Sequence, residues 1–91
     1  MRAARLCITG RVQGVGYRAW AMQIARRLGL RGWVRNRSDG SVDALVTGEE
    51  DAVARMIEAC REGPLGARVS DVAVNDAEDD GSTGFTARST E

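Results

Sequence analysis

The stretch Gly10-Arg11-Val12-Gln13-Gly14-Val15-Gly16-Tyr17-Arg18-Ala19-Trp20 decides how the chain is read. It begins where the apolar run Leu6-Cys7-Ile8 ends, passes Gly14 and Gly16, and enters a helical pattern. A Gly-containing turn from strand to helix aims unpaired backbone N–H groups at one point. Together with the positive end of the helix dipole, those amides make a ready anion site. Arg18 falls in the first helical turn and adds a permanent, bidentate-capable charge suited to phosphate. Gly-rich strand-to-helix turns are common, so the loop alone fits a bland turn equally well.

Working outward, residues 4–12 read as a strand. Leu6 and Ile8 face one side, and Arg5, Cys7 and Thr9 the other. The spacing of Tyr17, Ala21, Ile24, Ala25 and Leu28 predicts a helix over 17–28, with Trp20 on the same flank and Gly29 placed to end it. Residues 30–36 and 41–47 read as a hairpin joined by Arg37-Ser38-Asp39-Gly40, where Asp-Gly is a strong turn signal. Val53, Met56, Ile57 and Cys60 mark a second helix over 49–62, stopped by Gly63-Pro64. Glu49, Glu50 and Asp51 crowd its start, where the dipole favours anions, so they read as a solvated cap and not a metal site. A strand over 68–75, an acidic loop over 76–83 and a short strand over 84–88 complete the chain.

The order is β-α-β-β-α-β plus one short extra C-terminal strand. It predicts an α+β, ferredoxin-like sandwich spanning 1–91 as a single domain, with two helices on one face of an antiparallel sheet. The first and third strands should lie centrally. The ends of the first and second strands can then approach each other across one end of the sheet.

Composition narrows the chemistry. The chain has 91 residues, 43% of them hydrophobic, enough for one small core. Its 13 basic and 13 acidic residues cancel, which argues against a nucleic-acid or acidic-membrane binder. Every basic residue is Arg, which excludes a Schiff-base or P-loop lysine; the absence of His excludes a His general base and a Ser-His-Asp triad. Cys7 and Cys60 sit in neither a C-x-x-C nor a zinc-ligand spacing and read as structural thiols. No signal-like opening and no apolar run of the ~20 residues needed for a membrane span occur, so a cytoplasmic protein is expected.

A second stretch, Gly32-Trp33-Val34-Arg35-Asn36, ends at the hairpin turn. Asn36 by itself has an ordinary reading as a turn residue that bonds local backbone. Gly10–Arg18 and Gly32–Val42 together, however, resemble the signature pair of the acylphosphatase family. The resemblance extends to chain length, element order and the segment 63–74. Tyr17 stands where Phe is frequent, and Ala87 where a larger aliphatic is usual.

The resemblance implies hydrolysis of a carboxyl-phosphate anhydride, without metal or cofactor, on a small-molecule acyl phosphate. Arg18 matches the phosphate-binding catalytic arginine, and Asn36 the asparagine that orients the attacking water. The backbone amides of Gln13, Gly14, Val15, Gly16, Tyr17 and Arg18 match the phosphate cradle. Residue chemistry agrees: a carboxylate departs without needing a proton, so a chain lacking His can manage with charge stabilisation and an aligned water. Arg11 and Arg35 are read as solvated surface charges, Thr9 and Ser38 as ordinary strand and turn residues, and Trp33 as a cover for the helix-free face. A monomer is the simplest assembly. The alternative is a non-catalytic module that binds phosphate or carbamoyl phosphate. A ferredoxin-like RNA binder fits poorly, because aromatic content is only 4%.

Overall fold

A computed structural model describes all residues, Met1–Glu91. Its elements are β1 (Arg2–Arg11), α1 (Tyr17–Arg27), β2 (Arg31–Asn36), β3 (Val42–Gly48), α2 (Glu50–Glu62), β4 (Arg68–Asp76) and β5 (Phe85–Arg88). The sheet order is β4-β1-β3-β2-β5, with β1 and β3 central as the connectivity requires. The pairs β1/β3, β1/β4 and β2/β3 are antiparallel. The short last strand differs: it pairs parallel to β2, Gly32 opposite Phe85 and Val34 opposite Ala87, so the sheet is mixed.

Period-2 alternation builds one core from one face. Leu6 and Ile8 of β1, Val34 of β2, Val42 and Val46 of β3 and Val72 of β4 meet Tyr17, Ala21 and Ala25 of α1 and Val53, Met56 and Cys60 of α2. Tyr17, the first residue of α1, donates its hydroxyl to the Cys60 carbonyl at 2.7 Å. Burial holds that phenol well above its ordinary pKa, and it pushes the Cys60 thiol up to about 11, so neither group ionises at neutral pH.

The helix-free face is not the solvated surface that alternation predicts. Trp33 is 5% exposed and Asp43 4% exposed, although both point away from the helices. Three guanidinium groups close over the Trp33 ring: Arg5 at 5.0 Å, Arg35 at 4.8 Å and Arg88 at 4.7 Å from its centroid. Asp43 accepts from Arg5 at 2.7 and 2.8 Å, from Arg35 at 3.2 and 3.3 Å and from Arg37 at 3.3 Å. Burial works against its charge, but Arg5 and Arg35 outweigh it and hold the carboxyl below the usual range. Arg35 is therefore no free surface charge. Its side chain is 13% exposed, and it pairs with Asp43 and also with Glu91. Trp33 does cover this face, under a layer of arginine.

β1 launches the loop from a fixed point. Its pairing with β4 shifts register between Thr9 and Gly10, next to Asp71 and Val69. Gly10 sits there at φ 119°, and a Cβ would come within 2.2 Å of the Arg68 carbonyl oxygen, so only glycine fits.

Candidate active site

Past β1 the chain turns through residues 12–16 into α1. Gly16 is the N-cap, at φ 77° in the left-handed region, and no side chain caps the helix. No acidic residue stands in the first turn either, so the positive end of α1 is uncompensated by the chain itself. Trp20 is the first residue whose amide reaches back, to the Gly16 carbonyl at 3.0 Å. The amides of Tyr17, Arg18 and Ala19 precede any intrahelical partner, the ordinary condition of a helix start.

This end of α1 opens into a cavity of about 460 Å3. Of the residues named from sequence, Gln13, Gly14, Gly16, Tyr17, Arg18 and Asn36 all line it. Val15 does not; its side chain turns inward and packs against the core. Arg18 and Asn36, 18 positions apart in sequence, thus share one cavity across the sheet's end. Asn36 reaches it because it alternates with Val34 on the helix side of β2.

Arg18 is held by one hydrogen bond, from Nη1 to the Arg88 carbonyl of β5 at 3.0 Å. None of the chain's ion pairs uses it. Its remaining N–H donors are thus available to an anion. Asn36 is held through its backbone, which pairs with Val42 and accepts from the Glu91 amide at 3.0 Å. The turn behind it is locked by Asp39, whose carboxylate accepts from the Ser41 amide at 2.9 Å and the Ser41 hydroxyl at 2.6 Å. Those bonds keep the Asp39 carboxyl below its ordinary pKa.

Three parts of the site escape a reading of the sequence. Met22 and Ala87 add apolar wall beside the polar groups. Met22 follows Arg18 by one helical turn, a spacing that could have marked it. Ala87 carried no signal, because its place depends on the parallel pairing of β5. The Gln13 side chain, finally, leaves the loop and donates to the Arg37 and Ser41 carbonyls, each at 2.8 Å. Elsewhere, no group of three His, Cys, Asp or Glu side chains converges to hold a metal.

Fold and cavity together define a class: a ferredoxin-like α+β domain with an anion-receptive pocket where its first helix starts. The sequence profile of the acylphosphatase family matches residues 4–87. An acylphosphatase of Acidiphilium cryptum is 50% identical over 90 residues, covering 99% of each chain. The crystal structure of an acylphosphatase from Bacillus subtilis superposes with a TM-score of 0.93 at 36% identity, over 97% of this chain and 99% of that one. Full-length HypF, in its phosphate- and nucleotide-bound form, is 30% identical with a TM-score of 0.90, over 98% of this chain but 12% of HypF. The chain belongs to the acylphosphatase family, and it is an enzyme.

Proposed function

We propose that the chain hydrolyses the carboxyl-phosphate bond of small acyl phosphates, releasing a carboxylate and inorganic phosphate, without a metal. The observation that carries this reading is the meeting of Arg18, the open start of α1 and Asn36 in one cavity. The phosphoryl oxygens sit against the amides of residues 13–18 and the Arg18 guanidinium. The Asn36 carboxamide accepts a hydrogen bond from a water and aims it in line with the scissile P–O bond. Water oxygen bonds to phosphorus while the bond to the acyl oxygen breaks. The electron pair leaves with the carboxylate, which needs no proton, and the water's proton passes to a phosphoryl oxygen or to solvent. Asn is too weak a base to take that proton, so its work is alignment. The cradle opposes the charge spread over the equatorial oxygens.

The same reading makes residues 1–91 one catalytic unit, a monomer working in the cytoplasm. Free Cys7 and Cys60 suit a reducing compartment, and no helix is long and apolar enough to cross a membrane. The test is phosphate release from acetyl phosphate in excess chelator, wild type beside Asn36→Ala. Chelator should leave the rate unchanged. Asn36→Ala should lose turnover while inorganic phosphate inhibits with an unchanged constant. Phosphate binding by the wild type with no turnover of any acyl phosphate would select the binding module instead.

A further inference from the structure

The two halves of the proposed site are carried by strands that do not touch. The loop of residues 12–16 follows β1, Asn36 ends β2, and β3 lies between them. Strands are spaced ~4.8 Å apart, so loop and asparagine face each other over roughly twice that distance with no shared ladder. The turn from Arg37 to Ser41, meanwhile, exposes Ser38, Asp39 and Gly40, and its internal bonds through Asp39 fix its shape but not its distance from the loop. Something must fix that tip relative to the loop if a water is to be aligned on a bound phosphate.

Gln13 spans the gap. Its Nε2 donates to the Arg37 and Ser41 carbonyls, each at 2.8 Å. Those residues close the hairpin, since the Arg37 amide donates to the Ser41 carbonyl at 2.9 Å. Both amide protons of one side chain are therefore spent on the two sides of the turn's neck, directly after Asn36 and directly before Val42. Its own backbone stays in the loop, so the contact ties the proposed cradle to the strand end that carries Asn36.

We infer that Gln13 is a positioning residue, whose side chain sets the separation between the anion cradle and the Asn36 carboxamide. The inference rests on the function proposed above and assigns the side chain a role apart from the Gln13 backbone amide. Misplacement by about 1 Å can cost a factor of order 100 in rate, so a single bridging carboxamide carries a large share of alignment.

The experiment is a double-mutant cycle on acetyl phosphate turnover with Gln13→Met and Asn36→Ala, reading kcat, the phosphate inhibition constant and Tm. Methionine matches glutamine in length but donates nothing. Gln13→Met should lower kcat by roughly 10- to 100-fold and leave the phosphate inhibition constant within about 2-fold. In the Asn36→Ala background the same change should cost no more than about 2-fold, because there is no longer a carboxamide to align. Wild-type kcat in Gln13→Met overturns the inference. So does a loss that repeats in full on Asn36→Ala, or one matched by an equal loss of phosphate binding. Gln13→Glu, equal in shape but with a carboxylate against two carbonyls, should fall further than Gln13→Met, and it carries the same cycle if Gln13→Met does not fold. Wild-type kcat in Asn36→Ala alone would refute the assignment of Asn36, a failure visible without any change at Gln13.

Discussion

The two helices start in opposite ways. Each N-terminus borders a cavity of about 460 Å3, and each cavity has arginine in its wall: Arg18 at α1, and Arg27 with Arg55 at α2. Neither size nor the presence of a cation separates them. The difference is in the acids. At α2, Glu49 is the N-cap residue, Glu50 and Asp51 occupy the first turn, and Glu49 and Asp51 line the cavity alongside the arginines. At α1 a glycine stands at the cap and the first turn holds no acid. One helix supplies its own counter-charge, and the other leaves its positive end without one. Absence of a stabilising residue at a helix start is thus the more informative observation.

The strongest way to break this contrast is to remove the cations. Arg18→Ala should lower kcat for acetyl phosphate by a factor of at least 10²–10³, the usual cost of losing one preorganised donor. Arg55→Ala, at the other helix start, should leave kcat within about 2-fold; comparable losses from both would erase the distinction.

Next is exchange of the acids. Ala19→Glu would give α1 the first-turn carboxylate that α2 already has. It should weaken phosphate inhibition by about 10-fold or more and should raise helix stability by about 0.3–1 kcal/mol through the dipole. The reverse change, Asp51→Asn, should lower stability by about the same few tenths and leave turnover alone. Urea unfolding and phosphate inhibition, measured on both variants, check the pair.

The smallest effect concerns arginines that the chain neutralises itself. Asp43 has its folded pKa lowered by Arg5 and Arg35. Its stabilisation is therefore present above the unfolded carboxyl value, about 3.9, and is lost as pH falls through the lower folded value. Tm should drop below about pH 4, and Asp43→Asn should flatten that part of the acid limb while lowering Tm at neutral pH. An acid limb identical in both proteins would remove Asp43 from the account.

Much of this was legible in the sequence for identifiable reasons. The helical stripes, the Asp-Gly turn and the strand-loop-helix at residues 10–20 are local patterns, and each element formed where its pattern lay. That Arg18 and Asn36 would meet followed from β1 and β3 being central. What alternation could not convey is what lies over a face. It gave no sign that Asp43 would be buried on the helix-free face, paired with Arg5 and Arg35, or that Arg5, Arg35 and Arg88 would close over Trp33. The four residues of β5 carry no signal of strand direction, so their parallel pairing needed the assembled sheet. The reach of the Gln13 side chain was hidden for a similar reason, since both its acceptors are backbone carbonyls, a group every residue has.

That last strand links two properties usually considered apart. β5 is the shortest strand and lies at the sheet's edge, with only Phe85 buried, yet its Arg88 carbonyl is where the Arg18 guanidinium rests. Edges fray before centres. On warming, the arginine would come adrift while the central sheet still held, and under the proposed mechanism activity would be lost at a temperature where the spectra still looked native.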